Sequence, residues 1–136
     1  MECNFTNLSN EFVFKRKEIS GWGNTNKVFT NIFNPEDINQ IQKLIKLLPQ
    51  KTLVCRGLGR SYGDAAQIKD GITMKLTSLN KFSIDIRRKT LTAQSGASFD
   101  EILKYIIPKG FFLPVSPGTK FVTVGGAIAS DVHGKN

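Results

Sequence analysis

The chain has 136 residues, with 19 lysines and arginines against 11 aspartates and glutamates, a formal net charge of +8. That length bounds it to one domain at most, and the positive excess favours an anionic partner: a phosphorylated cofactor, a nucleic acid or an acidic lipid surface. A disulfide framework, a signal peptide and a bilayer-spanning helix are not expected, because the only cysteines are Cys3 and Cys55, the first residues lack an apolar core and no apolar run is long enough.

Residues 1–20 read as an N-terminal segment ahead of the domain, polar up to residue 10 and then carrying a weak strand signal where Phe12 and Phe14 alternate with Val13 and Lys15. Gly21-Trp22-Gly23 reads as a tight turn with Trp22 packed in it; the other reading of that indole is a ring facing a ligand. Residues 28–33 are β-branched and aromatic, a strand signal. The run breaks at Asn34-Pro35-Glu36-Asp37, where Asn34 suits an N-cap, Pro35 the first helical position and the two acids the helix dipole. Ile38, Ile41, Ile45 and Leu48 then recur at helical spacing until Pro49, predicting a helix with that face on a sheet.

Residues 52–55 form a short apolar strand, with Cys55 expected to be buried, so the order becomes strand, helix, strand: a βαβ unit with parallel strands. It runs into Arg56-Gly57-Leu58-Gly59-Arg60-Ser61-Tyr62-Gly63-Asp64. Glycines let the backbone approach a ligand so that successive N–H groups converge on phosphate oxygens. Arg56 and Arg60 add charge-assisted donors, and Ser61 and Tyr62 add hydroxyls. A mere turn needs only the glycines, so the arginines and hydroxyls favour an anion site over two structural turns. The third glycine of a dinucleotide fingerprint is missing at Tyr62, and no phosphate-loop motif of the nucleotide triphosphatases is present.

Residues 72–76 give another strand, and residues 82–86 and 90–94 a hairpin turned by Arg87-Arg88-Lys89. That triplet and Lys15-Arg16-Lys17 read as solvated strand ends; with no zinc-finger spacing or RNA-binding aromatics beside them, no nucleic-acid partner is expected. Ser98 and Glu101 make a capping box, followed by Phe99, Ile102, Leu103 and Ile106 at helical spacing until Pro108 and Gly110. Phe111-Phe112-Leu113 is expected to pack beneath that helix. A second glycine-rich stretch runs from Pro117 and Gly118 to Thr123-Val124-Gly125-Gly126, and two such donor loops suit a diphosphate. The sequence then reads Ala127-Ile128-Ala129-Ser130-Asp131-Val132-His133 and stops at Asn136 on a polar segment with no closing element, as an N-terminal piece would.

Three of these stretches, residues 56–64, 117–128 and 131–136, together with Gly21-Trp22-Gly23, resemble the FAD-linked oxidases of the vanillyl-alcohol oxidase type. Within that family they are most similar to the branch that oxidises decaprenylphosphoryl-β-D-ribose. The resemblance covers nearly the whole chain, and its motifs are specific as an ordered set. It implies an α/β fold of the α+β kind: a PCMH-type FAD-binding domain over residues 21–136, comprising the first βαβ-containing subdomain and the start of the second, with FAD extended between the two.

Under the same resemblance the diphosphate loop falls on Gly57 to Asp64, beside Arg56, and the second loop on Gly118 and on Thr123, Val124, Gly125 and Gly126. The flavin ring falls beside Ser130, Asp131 and His133. Contact with His133 is expected to be non-covalent, the alternative being a covalent link to the flavin. Lys135 falls at the substrate pocket, and no general base is assigned. Ala65, Lys120 and Ser130 depart from the family pattern, in place of asparagine, arginine and, in mycobacterial members, cysteine.

The substrate implied is a lipid-phosphate-linked pentose, oxidised as the first half of an epimerisation that a partner reductase would complete, by a cytoplasmic enzyme peripheral to the membrane. The alternatives are an aldonolactone oxidase sharing the same FAD half, and a truncated, non-catalytic anion-binding module.

Overall fold

The structure is a computed structural model that describes residues 8–48 and 52–134. The chain divides into two compact units, one up to Ser78 and one from Leu79. The first holds a four-stranded sheet built from β1 (Lys15–Ser20), β2 (Lys27–Phe33), β3 (Leu53–Arg56) and β4 (Ile72–Lys75), in the order β1-β2-β4-β3. β1 and β2 form an antiparallel pair from Lys15 opposite Ile32 to Ser20 opposite Lys27. β4 runs parallel to both neighbours, with Ile72 opposite Asn31 on one side and Leu53 on the other.

The expected strand, helix, strand unit is present as β2, α1 (Ile38–Leu47) and β3, but its two strands do not touch, because β4 lies between them. That insertion explains the first glycine stretch. β3 and β4 are adjacent and parallel, so the chain must return to the other end of the sheet between them, a crossover usually made by a helix. Here residues 57–71 make it with no helix, and the loop begins at the carboxyl end of β3, where open α/β sheets bind ligands.

Several local expectations shift. Helix α1 starts at Asp37, whose carboxylate accepts from the Gln40 N–H at 2.9 Å, not at Asn34. Pro35 is fully buried and its carbonyl accepts from the Ser78 hydroxyl, which holds the residues before the helix out of helical conformation. The buried stripe is rotated as well: Leu44 is fully buried with Ile41 and Leu48 beside it, while Ile38 and Ile45 are exposed. The core of this unit joins Leu8, Phe12, Phe33, Leu44, Ile72 and Met74, so Leu8 belongs to it although the surrounding sequence is polar. The first strand begins at Lys15, and Phe12 and Phe14 stack around Phe33 instead of extending it. Cys55 is exposed, because β3 is an edge strand; Cys3 lies outside the described residues.

The second unit contains the expected hairpin, β5 (Phe82–Asp85) with β6 (Thr90–Ala93), and α2 (Phe99–Ile106), where both halves of the Ser98–Glu101 capping box are formed. Ile102 and Ile106 are buried against Phe82, Ile84 and Leu91. Gly110 ends the helical segment at φ +79°; Phe111 and Leu113 pack onto the cluster, while Phe112 is exposed. A last short helix, α3 (Val124–Ala129), takes in the end of the second glycine stretch, with Thr123 as its N-cap. Among the described residues no helix is long and apolar enough to cross a membrane.

Candidate functional site

The first glycine loop is shaped from outside itself. The Trp22 N–H donates to the Ser61 carbonyl at 2.7 Å, and a Cβ on Gly21 would collide with the Gly63 carbonyl oxygen and lie 2.8 Å from that of Ser61. The turn Gly21-Trp22-Gly23 therefore lies backbone against backbone on residues 61–63, which is why Gly21 lacks a side chain. Trp22 neither hides in the turn nor stands alone: it is 56% exposed and meets the Tyr62 ring edge to face at 5.2 Å.

Arg56 does not extend toward solvent as a phosphate ligand would. Its guanidinium donates to the Ser20 carbonyl at 2.6 Å and the Ala66 carbonyl at 2.9 Å, and partial burial lowers its pKa from the ordinary arginine value, although it stays protonated at any ordinary pH. Gly59, at φ +69°, sits directly on that guanidinium, and a Cβ there would meet it. Arg60, Tyr62, Gly63 and Asp64 are exposed, and a Cβ on Gly63 would meet nothing. Among the described residues, the backbone N–H groups of Leu58, Gly59, Ser61, Tyr62 and Gly63 donate to no protein acceptor. Gln67, at the loop's exit, donates through its side-chain amide to the Asn26 carbonyl and leaves its own buried Oε1 without a partner among the described residues. Sequence reasoning missed Gln67; a lone glutamine carries no motif.

The second stretch is built the other way. The Val124 N–H donates to the Ala97 carbonyl at 2.9 Å, the Gly125 N–H to the Ser95 carbonyl at 2.8 Å and the Gly126 N–H to the Thr123 hydroxyl at 3.1 Å. The N–H groups expected to face phosphate at these three positions are thus committed inside the unit. Gly125 is a glycine for packing: a Cβ would lie 2.9 Å from that of Ser95. Gly118, by contrast, is exposed with open space where a Cβ would be. Lys120 is held by an ion pair to Asp100 at 2.6 Å, and Lys104 reaches the same carboxylate at 2.7 Å; these two ammonium groups hold the Asp100 pKa below the ordinary carboxylate range.

Beyond α3, Ser130, Asp131 and His133 are all exposed. Asp131 takes a left-handed φ of +48°, and its carbonyl oxygen lies 2.7 Å from Nδ1 of His133. A carbonyl can only accept, so in the neutral ring Nδ1 carries the proton and Nε2 the lone pair. Lys135 lies outside the described residues. No group of three or more histidine, cysteine, aspartate or glutamate side chains suited to a metal occurs among the described residues.

An anionic, phosphate-bearing group fits the first loop: N–H donors with no acceptor among the described residues, an unobstructed glycine at 63 and a positive chain. A family model described as an FAD binding domain matches residues 30–136. The chain is 38% identical over 130 residues to decaprenylphosphoryl-β-D-ribose oxidase of Mycolicibacterium smegmatis, which covers 93% of this chain and 28% of that protein. It is 33% identical over 73 residues to a D-lactate dehydrogenase of Anaerostipes hadrus, 53% of this chain and 15% of that one. Among solved structures, cholesterol oxidase from B. sterolicum superposes with a TM-score of 0.79 at 17% identity, over 92% of this chain and 25% of that one. The chain thus spans about a quarter of the length of the oxidases it resembles over nearly all of its own.

Proposed function

The chain belongs to the FAD-binding domain family, and from that premise we propose that it binds FAD without a covalent bond, the open loop of residues 57–64 receiving the diphosphate. The observation that carries this reading is that the N–H groups of Leu58, Gly59, Ser61, Tyr62 and Gly63, at the carboxyl end of β3, have no acceptor among the described residues. Backbone donors held by the fold bind an anion with little reorganisation, and the exposed guanidinium of Arg60 adds charge to the same loop. In the second unit Gly118 and Thr123 lie on the other loop of the same reading. Ser130, Asp131 and His133 are placed beside the flavin ring, with Nε2 of His133 as the free acceptor.

The whole protein is proposed to be a flavin-dependent oxidoreductase that oxidises a secondary alcohol of a lipid-phosphate-linked pentose, supported by the 38% identity to an oxidase of that substrate. FAD would supply the hydride acceptor, and the protein the positioning. Lys135 is assigned to the substrate side of that site, and a reductase acting on the resulting ketone would complete an epimerisation.

Titrating the purified chain with FAD and following flavin fluorescence tests the first proposal: saturable quenching, with all flavin released on acid precipitation, is expected. Flavin that stays with the precipitate would replace the non-covalent reading with a bond at His133. A colourless chain that takes up inorganic phosphate but not FAD would leave only an anion-binding module. For the whole protein, flavin reduction by decaprenylphosphoryl-ribose but not by aldonolactones is the expected outcome.

A further inference from the structure

Arg56 opens the anion loop, yet its charge points away from any ligand and into the fold. Its guanidinium joins the Ser20 carbonyl, at the end of β1, to the Ala66 carbonyl, at the loop's exit, and forms the floor on which Gly59 turns with φ +69°. The adjacent turn holds the crest of the same loop through the Trp22 N–H bond to Ser61 and the close approach of Gly21 to residues 61–63. Between them these contacts grip the loop's start, crest and exit.

We propose that Arg56 is a positioning residue for FAD, a clamp that holds the loop of residues 57–66 in its binding shape before the cofactor arrives, and not a phosphate ligand. The proposal rests on the FAD reading above for its effect on binding, and on the free chain alone for its effect on the loop. The geometry demands arginine. Two carbonyls in different directions need a planar fork with donors on separate nitrogens, whereas a lysine ammonium is a compact point charge on a flexible stem. A phosphate contact would tolerate lysine, because an ammonium also binds phosphate.

The two roles therefore separate experimentally. In amide hydrogen exchange on the free chain, Arg56→Met is expected to speed exchange at the Trp22 and Gln67 N–H groups, whose acceptors are the loop carbonyls of Ser61 and Asp64, while β2 and β4 keep their protection. In FAD titrations the same variant is expected to weaken binding by about tenfold, the loss of one or two hydrogen bonds. Arg56→Lys should not rescue it. The dependence of affinity on ionic strength should match that of the unaltered chain, because the lost charge never faced the phosphates.

Unchanged exchange at Trp22 and Gln67, rescue by lysine or a flattened salt dependence would each overturn the clamp. If Arg56→Met unfolds the unit, seen as lost protection in β2 and β4, Gly59→Ala tests the same contact from the other side. It should speed exchange at the same two N–H groups and weaken FAD binding with the unit intact, and wild-type behaviour in that variant would sink the proposal. If the unaltered chain takes up no FAD, the FAD reading fails, while the exchange experiment still decides the clamp.

Discussion

The two glycine-rich stretches look alike in sequence and are opposites in structure. In residues 57–64 the N–H groups of Leu58, Gly59 and residues 61–63 find no acceptor among the described residues, and the glycines serve shape: Gly59 its left-handed turn, Gly63 an open surface. In residues 123–126 the N–H groups of Val124, Gly125 and Gly126 are consumed by Ala97, Ser95 and Thr123, and Gly125 serves close packing against Ser95. Glycine richness therefore marks a place where backbone comes close to something. Whether that something is a ligand or the protein's own chain depends on where the N–H groups go, which is an accounting of partners and not of composition.

The largest effect is expected where the first loop leans on its brace. Gly21→Ala forces a methyl into the Gly63 carbonyl, and backbone on both sides leaves no rotamer to relieve it, so a loss of ~3 kcal/mol in stability is expected by denaturant unfolding. A change within experimental error would mean that the turn is not seated on the loop. Next comes the contrast itself. Gly125→Ala overpacks against Ser95 by ~1–3 kcal/mol but gains ~1 kcal/mol of helix propensity, leaving a net loss of about 1 kcal/mol in stability. Gly63→Ala meets nothing and should stay within about 0.5 kcal/mol, yet weaken FAD by about tenfold by standing where the ligand approaches. If Gly63→Ala binds FAD normally, or loses as much stability as Gly125→Ala, the distinction between an open and a closed loop fails.

What was legible in the sequence was what is local. The Ser98–Glu101 box, the helix it starts and the hairpin before it need only neighbours along the chain, and all three form as read. What depends on distant partners was not legible. Asp37 displaces Asn34 as the cap because Pro35 is buried and bonded to Ser78, far along the chain. Ile38 and Ile45 match helical spacing as well as Leu44 does, and only the position of the sheet selects Leu44. Cys55 is exposed because β4 takes the inner place and leaves β3 at the edge, an order that no strand declares by itself. In the site, the loops were visible as motifs, but the bonds from Arg56 to the Ser20 and Ala66 carbonyls were not, because both acceptors are backbone groups that no motif marks.

The smallest expected effect sharpens the closed side of the comparison. Asp100, in the first turn of α2, ties Lys120 of the second stretch to that helix through its side chain, and its N–H donates to the Lys120 carbonyl at 2.9 Å. Lys104 and Lys120 lower its folded pKa, so folding binds the ionised form more tightly than the unfolded chain does. The stabilisation is then fully present above the unfolded aspartate value, about 3.9, and disappears as pH falls through the depressed folded value. Denaturant midpoints of the chain should therefore fall on acidification below about pH 4, and Asp100→Asn should remove that part of the decline while slightly lowering the midpoint at neutral pH. Both partners are surface lysines, so the effect should shrink in high salt. An Asp100→Asn chain with the same acid profile as the unaltered one would show that the second stretch is held by its backbone bonds alone, with the lysine tether contributing nothing.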